Sequence, residues 1–366
     1  MFLSHHGRLY DFVPGAFGVT VFFVLSGYLI TTLLRQEFDR LSTIRLKQFY
    51  VRRALRILPL FYVVLTLAAI AGWLGMGGHG VNVSTTLAQA AHIGNYWEVF
   101  NPGDHPIAGT GVYWSLAIEE HFYLVFPGLF LLANRRGTSL HHQAIALASV
   151  SAVVLVWRCV LVYGMNAPHA RTYYSTDTRI DALLIGCAAA LVANPVRGGY
   201  VANARRLGAW AIAGAAAIVV SVGIRNEGFR ETLRYSMQPL AMVAVMRYVI
   251  AVPRSLAGRI LNWAPVAWIG RISYGFYLVH FAVVLEVGRH VQGLAAQVLL
   301  SLAISVPLGW GVHLLTDGPA RRVRERMLRR LDTAPTRRTF PHGRIGDVGP
   351  LVEALGANDA TPQKIV

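Results

Sequence analysis

The amino-acid sequence predicts an all-α fold, a polytopic bundle of transmembrane helices, from three observations. Hydrophobic residues make up 54% of the 366 residues and charged residues only 14%, against about 25% charged residues in soluble domains. The apolar residues gather in runs of roughly 20, long enough to cross a hydrocarbon core. The basic residues lie in short clusters between these runs, as the positive-inside rule describes.

Nine apolar runs are interpreted as membrane spans. They cover residues 14–34, 57–75, 113–133, 144–163, 181–194, 207–224, 237–252, 268–288 and 296–315. The run at 181–194 is short and would tilt or recruit flanking residues. Segment 76–112 is rich in Gly, Asn and His, which predicts a loop with one or two short interfacial helices.

The basic clusters predict the orientation of the bundle. They lie in the 35–56 loop, at Arg135 and Arg136, at Arg197, Arg205 and Arg206, at Arg254 and Arg259, and in "RRVRERMLRR" after the last span. Because they fall on the same side of successive spans, we expect that side to be cytoplasmic. Residues 1–13 would then lie outside and the C-terminus inside. We also expect a further helix upstream of Met1, which would make ten spans.

The same pattern predicts the domain organisation. Residues 1–318 would form the transmembrane domain. Residues 319–366 would form a basic cytoplasmic tail, largely disordered at its polar, Pro- and Gly-containing end.

Charge and cysteine content narrow the function classes. The net charge of +16 is compatible with nucleic acid, but no aromatic-interleaved basic face or nucleic-acid motif accompanies it. Cys159 and Cys187 both lie in apolar segments, which favours buried side chains over a disulfide or a metal site. We therefore predict no nucleic-acid partner and no metal.

Two arginines stand at the start of a span in "FYVRRALRILPLFY". Arg53 and Arg56 are three positions apart and so share one helix face. They are interpreted either as a positive-inside anchor or as an anion clamp, since paired guanidinium forks suit phosphates and carboxylates.

Two carboxylates interrupt an apolar run in "GVYWSLAIEEHFYLVFP". Glu119 and Glu120 point in different directions on a helix, so only one of them can face a shared cavity. A charge in a span costs about 2.5–3.5 kcal/mol even on the insertion scale. The two carboxylates either form an ion pair with a basic residue near the outer surface or take part in the function of the protein. The free-energy cost of placing them in a span favours a functional role.

Two further polar sites leave both interpretations open. Arg179 and Asp181 in "STDTRIDALLIG" either close a helix end as an ion pair or form a site for a polar acceptor at the outer mouth. His280 in "ISYGFYLVHF" either donates a hydrogen bond between helices or serves the reaction.

The opening stretch "MFLSHHGRLYDFVPGAFG" carries two adjacent histidines, His5 and His6. A double histidine beside a chain terminus is typical of a solvated end. Its placement directly before a span also allows it to be the outer end of a helix whose first part lies upstream.

Together these phrases resemble the acyltransferase-3 family, the membrane O-acyltransferases of cell-surface glycans and some small molecules. The matching phrases, in order, are "GAFGVTVFFVLSGYLITTLL", "FYVRRALRILPLFY", "YWSLAIEEHFYLVFP", "TRIDALLIG" and "ISYGFYLVH". Each is moderately specific alone, but five in the right order cover residues 15 to about 280 and make a chance match improbable.

The resemblance implies a ten-span bundle in a bacterial cell membrane with both ends cytoplasmic. It further implies transfer of an acyl group, most often acetyl, from cytoplasmic acyl-CoA to a hydroxyl of a glycan or glycosylated acceptor in the cell envelope. The alternative is a multi-pass transporter or flippase-like protein, which the sequence supports less because neither an inverted repeat nor a pair of broken helices is visible.

Individual residues carry over from the family one at a time. The family's two-arginine motif matches Arg53 and Arg56, expected to bind the coenzyme. Its glutamate after "WSL" matches Glu119 better than Glu120. Its paired Arg and Asp match Arg179 and Asp181, and its essential histidine matches His5, with His6 a close second.

Two departures from the family pattern stand out. In the family, an Arg or Lys precedes the essential histidine with ten residues between them. This sequence begins four residues before His5, and Arg8 lies on the wrong side of it. Near the C-terminus, the family often has an acidic residue directly before a proline-containing turn. Here "TDGPARR" places Gly318 between Asp317 and Pro319, which weakens any role for Asp317.

Acyl transfer to an alcohol requires a base, an oriented pair of substrates and an oxyanion donor. A neutral histidine suits the base near neutral pH, with Glu119 holding its tautomer. For substrate binding we expect Arg179, Asp181, Tyr113 and His280. The oxyanion donor would come from Tyr113, Ser26 or Ser115.

Overall fold

The structure, a computed structural model, describes residues 15–75, 80–192, 194–195 and 203–332, with side-chain surroundings given as far as Leu315. Every regular element in these ranges is helical. The helices are α1 (Gly15–Leu41), α2 (Leu46–Trp73), α3 (Val83–Ala90), α4 (Gly94–Phe100), α5 (Trp114–Arg135), α6 (Leu140–Cys159), α7 (His169–Tyr174), α8 (Thr176–Arg179), α9 (Asp181–Val192), α10 (Ala204–Gly223), α11 (Glu227–Glu231), α12 (Leu233–Ala251), α13 (Leu256–Leu261), α14 (Ala264–His290) and α15 (Leu294–Asp332). A 3-10 turn precedes α5, and a π-helical turn follows α6.

Each of the nine predicted spans coincides with a long helix or with α9, which confirms the predicted fold class. Seven helices within the described ranges are long and apolar enough to cross a membrane. The α9 helix is apolar but shorter, while α12 carries Arg234 and Arg247. The 76–112 segment, expected to contain one or two short helices, contains α3 and α4.

Two helices extend beyond the apolar runs that predicted them. The α2 helix begins at Leu46 rather than residue 57, because the polar stretch before the run consists mainly of residues that tolerate a helix well. The backbone of α15 stays helical past residue 318 and through the basic segment to Asp332. The expected disordered end of the tail lies outside the described residues.

Close helix contacts form where glycines remove the side chain. A methyl group on Gly27 of α1 would lie 2.0 Å from the carbonyl oxygen of Leu183 in α9. A methyl group on Gly186 of α9 would lie 2.3 Å from the carbonyl oxygen of Val24 in α1. Small residues on both sides let the two backbones touch, as at interfaces between membrane helices.

The same device joins two other helix pairs. A methyl group on Gly214 of α10 would lie 2.6 Å from the Ala241 carbonyl oxygen of α12. One on Gly275 of α14 would lie 2.5 Å from the Gly309 carbonyl oxygen of α15. In the main apolar core, Ile118 and Phe122 of α5 are buried with Phe23 of α1.

The bundle has two different ends because successive long helices are joined by alternating connections. One end, called here the capped end, carries the short helices α3, α4, α7, α8 and α11. The other, called the basic end, carries the arginine clusters at 35–56, 135–136, 205–206 and 254–259. At the capped end, Asn95 of α4 donates a hydrogen bond to the Tyr174 carbonyl at 3.1 Å, which ties the two groups of short helices together.

Candidate functional site

Glu119 is a buried carboxylate near the capped end of α5, with 3% of its surface exposed. One turn further along, the Tyr123 hydroxyl donates a hydrogen bond to Glu119 Oε1 at 3.2 Å. The same hydroxyl lies 3.2 Å from Ser26 Oγ of α1. Glu119 is thus fixed between two helices by hydroxyl groups, in a place where an unsatisfied carboxylate would be costly.

Arg53 is a basic residue whose charge acts on this carboxylate. Its guanidinium carbon lies 5.1 Å from the centre of the Tyr123 ring, and its charge acts on both Glu119 and Glu120. Arg53 is half-buried, whereas Arg56 is exposed. The structure therefore brings one arginine of the predicted clamp to the carboxylates and leaves the other on the outer surface of α2.

An apolar cavity of about 200 Å³ lies between α1, α5 and α14. Its lining consists of Gly18, Val19, Phe22, Ser115, Ser273, Tyr274, Phe276, Tyr277 and His280. Ser115 stands one helical turn before Glu119, and the Tyr274 hydroxyl interacts electrostatically with Glu119 and Glu120. The cavity is therefore next to the carboxylate cluster and lined largely by apolar surface.

Three polar residues of the cavity wall, Ser115, Tyr277 and His280, are connected by hydrogen bonds. The hydroxyl groups of Ser115 and Tyr277 lie 2.6 Å apart. His280 is 1% exposed, and its Nδ1 lies 2.7 Å from the Tyr277 carbonyl oxygen. His280 thus belongs to the cavity wall, beside Ser115.

Tyr113 is buried and its hydroxyl donates a hydrogen bond to the Leu278 carbonyl at 2.9 Å. A hydroxyl has a single proton to donate, so in this arrangement Tyr113 links the 3-10 turn before α5 to α14 instead of offering a donor to an oxyanion. Ser26 remains beside Glu119, where its hydroxyl is closest to the carboxylate cluster.

Arg179 and Asp181 are two positions apart but have different surroundings. Asp181 accepts hydrogen bonds from Arg158 at 2.8 and 3.1 Å and from Ser236 at 2.7 Å. Arg179 instead lies over the Tyr235 ring, with its guanidinium carbon 3.7 Å from the ring centre. The ion pair that closes this helix end is therefore Arg158–Asp181, not Arg179–Asp181.

Some predicted site residues cannot be placed. His5 and His6, the predicted base, lie outside the described residues, and so does the side chain of Asp317. The base assignment therefore stays a prediction.

Two important residues were not singled out from the sequence. Tyr123 stands four residues after Glu119, the spacing that brings side chains together on a helix, and this signal was available. Arg158 is an arginine inside a predicted span, which the cost of a membrane charge should also have flagged. Its partner Asp181, 23 positions away, becomes visible only in the fold.

The capped end carries titratable groups outside the spans. Burial, aided by the nearby His121, lowers the pKa of His92 to about 4. Burial raises the pKa of Glu98 to about 8. Burial opposes ionisation of Asp177 as well, but hydrogen bonds from Arg171 and Trp157 outweigh it and lower its pKa. Among the described residues, no three His, Cys, Asp or Glu side chains come together as metal ligands would.

The sequence matches a known protein family. A family model described as an acyltransferase domain, of the acyltransferase-3 type, matches residues 2–314. The chain belongs to the acyltransferase-3 family. The match covers all of the described side chains of the site. It also covers every long helix, apart from the end of α15.

Several curated relatives are similar to this acyltransferase-3 chain. It is 32% identical over 286 residues to peptidoglycan O-acetyltransferase OatA of Listeria monocytogenes, covering 74% of the chain and 45% of the relative. It is 30% identical over 295 residues to putative peptidoglycan O-acetyltransferase YrhL of Bacillus subtilis, covering 74% and 44%. A putative O-acetyltransferase of Staphylococcus aureus is 28% identical over 290 residues, with 74% and 46% covered.

The chain spans less than half the length of these curated relatives. No solved structure matches it.

Proposed function

We propose that this chain is an integral-membrane O-acyltransferase that moves an acyl group, normally acetyl, from acyl-CoA to a hydroxyl of a glycan acceptor. The observation that carries the proposal is the arrangement of Glu119, Tyr123 and Arg53 beside an apolar cavity. Membership of the acyltransferase-3 family and similarity to proteins named O-acetyltransferases support it. The acceptor class comes from the names of the relatives and from the resemblance.

The donor would approach from the basic end. Arg53 stands seven residues into α2, between the arginine-rich loop and the carboxylate cluster. A guanidinium there suits a phosphate or an amide of the coenzyme. Arg56, one turn further along α2 and exposed, would supply a second cationic contact. The thioester would then reach the cavity, whose apolar wall accepts a short acyl chain and keeps water away from it.

The chemistry needs two proton transfers, one to the base and one from it, and the exchange of a C–S bond for a C–O bond. The acceptor hydroxyl oxygen attacks the thioester carbonyl, the new C–O bond forms, and the C–S bond breaks. The base takes the hydroxyl proton and returns it to the leaving thiolate. We assign the base to His5 or His6 and the orienting carboxylate to Glu119, with His280, Arg179, Asp181 and Tyr113 shaping the substrate site at the capped end.

The test is acyl-CoA turnover by the purified full chain in lipid nanodiscs. Turnover is measured as the release of the coenzyme thiol. Glu119→Gln should lower acceptor-dependent turnover by about 100-fold or more, the usual loss on disabling acid–base machinery. Glu98→Gln is the matched control, because Glu98 is a half-buried carboxylate that no described contact joins to Arg53. Equal turnover by Glu119→Gln and wild type would remove Glu119 from the mechanism.

Single substitutions distinguish the roles of His5 and His6. Alanine at His5 or at His6 should abolish turnover in one variant and spare the other. If both variants keep full activity, the base lies elsewhere. A chain that moves a glycan across vesicles without releasing the coenzyme thiol would instead support the transporter alternative.

A further inference from the structure

Arg179 is a buried guanidinium whose nitrogens have no hydrogen-bond partner. It is 2% exposed, and none of Nε, Nη1 and Nη2 finds an acceptor within the described part of the chain. Arg158, equally buried, binds Asp181, Ser236 and the Thr178 carbonyl through its terminal nitrogens. A buried N–H left unpaired costs about 1–3 kcal/mol, and more when it is charged.

Aromatic rings hold the charge of Arg179 in place. Its guanidinium carbon lies 3.7 Å from the Tyr235 ring centre, 5.7 Å from that of Tyr173 and 5.8 Å from that of Trp114. Ring faces attract a cation, but they do not satisfy the N–H groups, which point outward in the plane of the guanidinium. The cage therefore keeps the charge while leaving the buried N–H groups unpaired.

The carboxylates near Arg179 accept hydrogen bonds from other residues. Asp181 is bound by Arg158 and Ser236. Glu231 senses the charge of Arg179, but its two oxygens accept hydrogen bonds from His169, at 2.7 Å, and from Thr172. No described side chain is therefore placed to complete the hydrogen bonding of Arg179.

Arg179 contacts a residue that is next in sequence to the cavity lining. Trp114, one wall of the cage, directly precedes Ser115 of the cavity lining. Trp114 also packs edge-on against Phe23 of α1, with ring centres 6.4 Å apart. Arg179 thus contacts the first residue of α5, at the capped end and next in sequence to the cavity-lining Ser115.

We propose that Arg179 binds an oxyanion, a carboxylate carried by the acceptor glycan, and so selects anionic acceptors. The proposal rests on the acyl transfer proposed above and names the class of its acceptor. A guanidinium fork matches the two oxygens of a carboxylate. A phosphate has the same chemistry, so the headgroup of an anionic phospholipid is the second source that the experiment must separate.

The experiment compares two acceptors with the full chain in phosphatidylcholine nanodiscs and acetyl-CoA as donor. One acceptor is a peptidoglycan disaccharide with a free carboxylate, and the other is the same disaccharide with that carboxylate converted to a carboxamide. Wild type should prefer the carboxylate form by about 10-fold or more in kcat/KM, the effect of one charge-assisted hydrogen-bonded pair.

Two variants and one control identify the residue. Arg179→Gln should bring the preference close to one, mainly through a higher KM, while Arg179→Lys should keep part of it. Arg225→Gln, which removes an exposed arginine at the same end of the bundle, should keep the full preference. Equal use of both acceptors by wild type would overturn the proposal and leave acyl transfer intact.

A binding measurement distinguishes the remaining outcomes. If wild type turns over no acetyl-CoA, the proposed function fails, and thermal stabilisation by the two disaccharides then tests Arg179 alone. Stabilisation of wild type but not Arg179→Gln by the carboxylate form supports the site, and its absence overturns it. If Arg179→Gln differs from wild type only in phosphatidylglycerol nanodiscs, whatever the saccharide, the oxyanion belongs to lipid and the acceptor assignment is wrong.

Discussion

At the scale of single residues, the two buried arginines near the capped end show what adjacency in sequence conceals. Arg179 and Asp181 look like a pair in "TRID", yet residues two apart on a helix point to different sides. Asp181 meets Arg158 from α6 instead. The sequence identified both members of the motif as costly, but the identity of the partner depends on how α6, α9 and α12 pack.

The Arg158–Asp181 pair should be a main determinant of stability. Both side chains are almost fully buried, and removing one partner of such a pair usually costs about 3–5 kcal/mol. Asp181→Asn should therefore lower the unfolding temperature in detergent markedly. The double variant Arg158→Met with Asp181→Leu should recover most of the loss, and a double variant as unstable as the single one would contradict a simple ion-pair account.

Glu98 should make stability depend on pH. Burial raises the pKa of Glu98 to about 8 from its ordinary 4.5, so the folded chain keeps a proton that the unfolded chain releases. The stabilisation is complete below pH 4.5 and is lost as pH rises toward 8. Glu98→Gln, which cannot ionise, should melt at a higher temperature than wild type at pH 8 and at a similar temperature at pH 4.5.

Thermal melts at several pH values check this expectation. His92 is the group to control, since its lowered pKa of about 4 destabilises the fold as pH falls below 6.5. His92→Gln should flatten the acid side and leave the difference at pH 8 unchanged. An identical pH profile for Glu98→Gln and wild type would show that Glu98 ionises normally.

At the scale of helices, the glycine contact between α1 and α9 holds the first half of the bundle together. Gly27→Ala would force a methyl group against the Leu183 carbonyl, where backbone cannot yield cheaply. We expect a loss of about 1–3 kcal/mol, typical of overpacking, read as a lower melting temperature. Gly128→Ala in α5 is the matched control because open space surrounds that position, and it should be neutral or slightly stabilising.

Helix positions were largely predictable because apolar runs of membrane length leave few alternatives. The runs located all of the long helices, and the composition of segment 76–112 indicated α3 and α4. The start of α2 and the continuation of α15 were missed, since hydropathy marks where the chain is apolar and not where its backbone hydrogen bonding ends. Glu119 and Arg53 were predictable from their cost, whereas the Tyr123 and Ser26 contacts required the packing of α1 on α5.

At the scale of the whole molecule, the separation of charge between the two ends gives the proposed reaction its direction. Arginine clusters stand at the basic end, while the cage around Arg179 and the short helices stand at the capped end. A donor bound near Arg53 and an acceptor entering near Arg179 would meet at the cavity between them. This requires the basic end to be cytoplasmic, as the positive-inside rule predicts.

Cysteine labelling in intact cells tests that orientation. In a background where Cys159 and Cys187 are replaced by alanine, Asn226→Cys at the capped end should react with a membrane-impermeant maleimide applied from outside. Ser255→Cys at the basic end should react only after the membrane is permeabilised. The reverse pattern would invert the orientation, place the carboxylate side of the cavity toward the cytoplasm, and require the donor to approach past Arg179 instead of Arg53.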